Sequence, residues 1–398
     1  MREKRLDIAT NVNYATGPTT GQPTKIAPPL SFAGDGMVPG LAFGAQWENY
    51  IQHYLQRQIE VSAIVPFRNW QEYPGVGSTA GILGATVRTA YNKLVGLTYF
   101  ARGLSSVNPV FSVPPAAGST SLPTYTITPG AGTFLCKGVA AVEDAANPGW
   151  IFVGSNSTTP TKTVHEWASS TAEITMPVSG SIELICKDKA TGYFYAFAAD
   201  TNRSVLVRGP NMASTWSVLG QRGAGAPAPT ASMACAAANG LLILGYTVTP
   251  GSTQATVERM PTGAFSRTVH TPFADTSAVL DTIYSPQRGE FLFLTRGGTY
   301  RFTDPTASVE YVAAGFLTAA QSPVNGVVAG CLHETGAAIV GDNRMIVQPW
   351  LGDPSHAFQF DDAGPPSSNH RISFDGSALW LMHSTSSTLR LYRSLRSN

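Results

Sequence analysis

From Val139 onward, short apolar runs alternate with polar turns, and the alternation repeats. In each copy an apolar strand ends in a polar turn, a glycine follows, and a second apolar strand begins. The copies pair Val139–Val142 with Gly149–Val153, Leu184–Cys186 with Gly192–Phe197, and Met233–Cys235 with Gly240–Leu244. The pattern returns as Leu280–Ile283 with Gly289–Leu294, Val327–Cys331 with Gly336–Val340, and Arg371–Phe374 with Gly376–Leu381. The turn glycines lie 43, 48, 49, 47 and 40 residues apart. Apolar runs this short, bounded by turn residues, read as strands. A period near forty-five with four short strands per unit predicts a β-propeller.

Third strands follow at Lys162–His165, Ser204–Arg208, Ala255–Arg259, Thr299–Phe302, Arg344–Gln348 and Thr388–Tyr392. Fourth strands follow at Glu173–Met176, Thr215–Leu219, Ser266–His270, Val309–Ala313 and His356–Phe360, and the sixth copy has no room for one. An alternating segment, Tyr125–Thr128, stands just ahead of the first copy without a partner. The sequence therefore predicts a mainly β chain: a six-bladed propeller of four-stranded blades over residues 122–398, closed by Tyr125–Thr128. A seventh blade made from Val61–Arg102 is the alternative, against which the helix-like spacing of Leu83, Val87, Tyr91 and Leu94 counts.

The rest of the chain divides into residues 1–60 and 61–121. Prolines at 18, 23, 28, 29 and 39 exclude a helix in the first forty residues. Yet Ile26, Leu30, Phe32, Met37 and Val38 are too apolar for a solvated tail, so the segment reads as an extended arm ordered on a partner. A short helix is predicted from Ala42, because Trp47, Tyr50, Ile51, Tyr54 and Leu55 form one apolar stripe at helical period. That stripe suits docking or self-association, and a homo-oligomer is expected. Val61–Tyr73 reads as β-like, Thr79–Tyr99 as mixed, and Leu104–Pro123 as a linker.

Charge narrows the partners. Lys and Arg total 26 against 25 Asp and Glu, so the net charge of +1 gives no field toward nucleic acid. No run approaches the ~20 apolar residues of a membrane helix, and insertion into a membrane is not expected. Three of the four cysteines, Cys186, Cys235 and Cys331, fall near the ends of first strands, which line a propeller's channel. No two have zinc-ligand spacing, so they read as small apolar side chains, and no metal or cofactor is expected.

Catalytic patterns are weak. Sialidase-like propellers carry a Ser-x-Asp-x-Gly-x-x-Trp turn between third and fourth strands. Arg208–Trp216 resembles it but keeps only the tryptophan. Arg203, Arg208, Arg222, Arg259, Arg267, Arg301 and Arg344 fall mostly on third and fourth strands and read as solvated edge positions. Asp361-Asp362, Asp342, Asp188 and Asp281 are the carboxylates available for acid–base work. The chain is not expected to be an enzyme; a glycan-processing propeller is the remote alternative.

Lys25–Gly40, followed by Phe43–Tyr50, resembles the virion-anchoring segment of tailed-bacteriophage tail proteins. In that family a Val-Pro-Gly turn leads into a helix carrying Gln-x-x-Asn with aromatic neighbours, here Val38-Pro39-Gly40 and Gln46-Trp47-Glu48-Asn49. The resemblance implies a virion structural protein, made in the host bacterial cytoplasm and held in the tail. Its N-terminus would be held by another virion protein such as a tail hub, adaptor or nozzle. The anchoring residues would be Ile26, Leu30, Phe32, Met37, Val38, Pro39, Gly40, Trp47, Asn49, Tyr50, Ile51 and Tyr54. The propeller would be a receptor-binding head touching host surface glycan, with Trp216 and Trp350 at blade turns as stacking candidates. Alternatively it is an adaptor or decoration protein that only packs against its neighbours.

Overall fold

The computed structural model describes residues 67–73, 87–101, 110–113, 124–125, 138–154, 162–167, 170–211, 213–224, 226, 233–247, 255–270, 278–287, 289–296, 298–303, 310–314, 327–334, 336–341, 345–347, 357–359, 370–384 and 389–396. They are mainly β, arranged as small antiparallel sheets of four strands, and there are seven of them among the described residues. Sheet I holds β2 (Arg88–Asn92), β3 (Leu97–Ala101), β4 (Val110–Val113) and β5 (Thr124–Tyr125). Sheet II holds β6 (Val139–Ala141), β7 (Ile151–Gly154), β8 (Lys162–Trp167) and β9 (Ser170–Thr175). Sheet III holds β10 (Ile182–Lys187), β11 (Phe194–Ala198), β12 (Ser204–Arg208) and β13 (Ser217–Gln221). Sheet IV holds β14 (Met233–Ala238), β15 (Leu241–Thr247), β16 (Ala255–Pro261) and β17 (Thr268–His270). Sheet V holds β18 (Val279–Ser285), β19 (Glu290–Thr295), β20 (Gly298–Phe302) and β21 (Glu310–Ala314). Sheet VI holds β22 (Val327–His333), β23 (Gly336–Gly341), β24 (Met345–Val347) and β25 (Ala357–Gln359). Sheet VII holds β26 (His370–Phe374), β27 (Ala378–Ser384), β28 (Leu389–Arg396) and, as its outermost strand, β1 (Phe67–Tyr73).

Two expectations are corrected here. The count is seven sheets rather than six, because Arg88–Tyr125 forms a complete sheet ahead of the first repeat read from the sequence. The closing strand is also different. Thr124–Tyr125 pairs with Val110 and Phe111 inside sheet I, while Phe67–Tyr73 pairs with β28 from Phe67 opposite Arg396 to Tyr73 opposite Leu391. The expected boundary at residue 122 therefore cuts through sheet I, and the expected linker contains β4. The arm and the helix expected within residues 1–60 lie outside the described residues.

The apolar second strands explain how the sheets pack. A strand's side chains alternate between two faces, so a wholly apolar run must be covered on both. In β7, Phe152 turns to sheet III and joins Phe194 and Trp216, while Ile151 and Val153 turn to sheet I and join Tyr99. In β11, Phe194 and Ala196 face sheet II and Tyr195 and Phe197 face sheet IV. The same division runs through β15, β19, β23 and β27, giving one apolar cluster at each seam between neighbouring sheets. The last seam joins sheet VII to sheet I through Trp380, Met382 and Phe100, and first strands touch their neighbours around the same closed cycle.

The glycine turns are reproduced closely. Gly96, Gly149, Gly192, Gly240, Gly289 and Gly376 all have positive φ. In sheet III the Gly192 amide donates to the Asp188 carbonyl at 2.8 Å, and in sheet I the Gly96 amide donates to the Asn92 carbonyl at 2.8 Å. The side chains of Asp188 and Asn92 accept the amide two residues on, at 2.9 and 3.0 Å, which stabilises a turn whose glycine carries the left-handed conformation.

Seams this dense tolerate no added atoms. A Cβ on Gly245 would overlap the ring of Phe293, which is buried in the seam between sheets IV and V. Gly245→Ala is expected to lower stability by about 1–3 kcal/mol, since the ring has no empty space to enter. The urea unfolding midpoint reads this directly.

Candidate functional site

Each first strand touches the first strands of the two neighbouring sheets, and residues at the ends of several of them line shared openings. Two cavities open there. One of about 480 Å³ lies between sheets I, II, III and VII, and one of about 450 Å³ lies between sheets III, IV and V. They share Cys186, Lys187 and Lys189. Thr89, Tyr91, Gly376 and Ser377 complete the polar wall of the first, while Ala236, Ala237 and Tyr284 make the second more apolar.

The mouth is charged with both signs. Lys187 ends β10 and holds the Glu143 carboxylate at 2.7 Å, with Lys93 approaching the same oxygen at 3.9 Å. Glu143 itself has a φ of 51°, a left-handed conformation unusual for a glutamate. Lys189 reaches across the opening from sheet III to Glu334 on sheet VI, at 3.4 Å. Its ammonium also lies 3.9 Å from where a Cβ would stand on Gly376 of sheet VII. Asp375 is buried and fully engaged. One oxygen accepts from Thr98 and from the Trp380 indole at 2.7 and 2.6 Å, and the other accepts the Ser377 and Ala378 amides and the Ser377 hydroxyl. It ties sheet VII to sheet I at the wall of the first cavity.

Nearer the start of the first strands a second bridge spans the channel. Arg88 of sheet I meets Asp281 of sheet V at 3.5 Å. Burial raises the Asp281 carboxyl above the ordinary range, although Arg88 and the amides of Leu332 and Thr282 pull the other way. Burial also pushes the thiols of Cys186 and Cys331 well above their usual range, so both stay protonated at neutral pH and neither is a ready nucleophile or metal ligand. Among the described residues no group of three or more His, Cys, Asp or Glu is placed to hold a metal.

Several residues singled out in the sequence have other surroundings. Trp216 is only 6% exposed and packs edge-on against Phe152 at 5.7 Å, so its ring is a seam residue and not a surface platform for sugar. Arg208, read as a solvated edge, is buried with its guanidinium 4.6 Å over the Phe152 ring, and burial lowers its pKa to about 10. Arg222 is likewise buried, paired with Glu258. Trp350, Asp342, Asp361, Asp362 and all the anchoring residues from Ile26 to Tyr54 lie outside the described residues. The sequence reading missed Lys93, Lys187 and Lys189. The available signal was a lysine at or just past the end of a first strand in two units, those of sheets I and III.

No family profile matches the chain, and no curated protein matches it. Among solved structures it is similar to a structural genomics protein of unknown function from Bacteroides thetaiotaomicron VPI-5482. The two share 13% identity, 77% of this chain and 84% of that one are covered, and the TM-score is 0.38.

Proposed function

We propose that the chain is a tail-associated structural protein of a tailed-phage virion, in which a β-propeller head is carried on an N-terminal anchoring arm and touches the host surface. The seven sheets, each sharing a core with the next, support a seven-bladed head. The observation that carries the virion reading is the anchor-like sequence, Val38-Pro39-Gly40 followed by Gln46-Trp47-Glu48-Asn49. Its point of attachment fits. The first described strand, β1, is the outermost strand of sheet VII, so a segment preceding it starts from the edge of a sheet.

A second reading, a non-catalytic adaptor that only packs against virion neighbours, is favoured by two features. Trp216 is withdrawn into a seam. Val218 on β13 and Val269 on β17, outermost strands of adjacent sheets, are 43% and 44% exposed, as suits a lateral contact. Deleting residues 1–40 is expected to leave particles without the protein while the purified variant keeps its melting temperature. Unchanged protein content in the particles overturns the anchoring role. Competition of host adsorption by residues 67–398 separates the two readings: inhibition supports the receptor-binding head, and none supports the adaptor.

A further inference from the structure

We propose that the channel mouth binds a saccharide unit bearing a carboxylate. This deepens the reading of the ring as a binding head by naming the site and the class of ligand. The cavity of about 480 Å³ has the size of a sugar-binding cleft. Its cations come from separate sheets and are not equally committed. Lys187 is nearly covered, 19% exposed, and is locked to Glu143 at 2.7 Å. Lys93 and Lys189 are 67% and 64% exposed and hold their partners Glu143 and Glu334 at 3.9 and 3.4 Å. Exposed pairs of that length contribute little, so a ligand carboxylate competes for these two ammonium groups at little cost.

The remaining wall explains why a sugar fits better than a bare anion. Lys93 and Lys187 already share Glu143, and Lys189 is paired with Glu334, so a bare anion gains only part of their charge. The Thr89 hydroxyl, paired with Ser373 at 2.7 Å, and the Ser377 hydroxyl, donating to Asp375 at 2.9 Å, line the same cavity with the ring of Tyr91, and each hydroxyl oxygen keeps acceptor capacity. A ligand with one carboxylate and several hydroxyls meets both the exposed ammonium groups and the hydroxyl oxygens beside them. Lys189 gives up its pair with Glu334 when it takes the ligand carboxylate.

Calorimetric titration of the full chain with glucuronic acid tests this, with glucose and inorganic phosphate as controls. Saturable glucuronate binding is expected, with none for glucose. Lys93→Ala and Lys189→Ala are each expected to weaken it about tenfold, the loss of one charge-assisted hydrogen bond. Both positions are solvent-exposed, so melting temperatures should stay at the wild-type value. Absence of saturable glucuronate binding, equal affinity for phosphate, or unchanged affinity in both variants overturns the proposal. Adsorption of the Lys93→Ala/Lys189→Ala protein to host cells is read separately. Adsorption that survives loss of glucuronate binding removes this site from host contact while leaving the head reading intact. Glucuronate binding without any adsorption by the wild-type chain does the reverse.

Discussion

Glu258→Ala is expected to lower the stability of the fold by about 3–5 kcal/mol, because it strands buried positive charge. Glu258 stands on β16 with no exposed surface. Its two oxygens accept a fork of hydrogen bonds from Arg222, both at 2.7 Å, and one oxygen also accepts from Tyr246 at 2.8 Å and Arg267 at 2.9 Å. Arg222 follows β13, so the network binds sheet III to sheet IV near the rim. Removing the carboxylate leaves the Arg222 guanidinium, itself 1% exposed, without its counterion. Arg222→Met with Glu258→Leu is expected to recover most of the loss, since a buried pair replaced by apolar groups of similar volume is close to neutral. Urea unfolding of the single and double variants measures both.

The same carboxylate makes stability depend on pH. Burial alone would raise its pKa, but the hydrogen bonds from Arg222 and Arg267 and the Arg222 charge outweigh burial and hold it below the ordinary range. Burial and the Glu258 carboxylate push the Tyr246 phenol up to about 12, so it remains a donor. With the folded value depressed, the contribution is complete above the unfolded carboxylate's pKa of about 4.3 and is lost as pH falls through the folded value. The acid limb of the unfolding profile should flatten in the double variant.

A chain beginning at residue 122 is expected not to fold, whereas one beginning at residue 67 is expected to keep the full melting temperature. The shorter piece loses β1 together with most of sheet I. Phe67 and Tyr73 are 2% and 5% exposed, and Phe67 packs edge-on against His333 and Phe374. Burial of each such ring contributes about 1.5–3 kcal/mol. The larger loss is at the seams. Without Tyr99 and Phe100, both wholly buried, sheets VII and II each expose an apolar face, and the cycle is broken. That deficit exceeds the roughly 5–15 kcal/mol by which a domain is stable. Circular dichroism with thermal melting distinguishes the two pieces, and a cooperative transition in the shorter one would refute the closure described here.

How legible this was depended on whether a feature is local. Gly149, Gly192, Gly240, Gly289 and Gly376 could be found because a hairpin turn writes its chemistry into adjacent residues. Gly96 carries the same turn, with Asn92 in the place of Asp188, yet Val87, Tyr91 and Leu94 also match helical spacing. Short strands with intervening turns satisfy that spacing by coincidence. The partner of β1 was not readable, because Phe67–Tyr73 says only that it is a strand, and its mate is the last strand of the ring. Tyr125 looked unpartnered for the same reason: its mate, Val110, lies among prolines that read as a linker. The mouth was less legible still, since Lys93 and Lys187 meet at Glu143, and Lys189 meets Glu334, only when the sheets pack together. Arg208 and Arg222 were misread because position on an outer strand does not fix depth.

The pairing of β1 with β28 also governs how the protein is made. Phe67–Tyr73 leaves the ribosome first among the described strands and Leu389–Arg396 last, so sheet VII cannot assemble until the other six have been synthesised. A contact spanning nearly the whole chain carries a high loop-closure cost and slows folding. Through translation Phe67 and Tyr73 of β1, and the Phe100 face of sheet I, stay without the sheet VII partners that cover them in the fold.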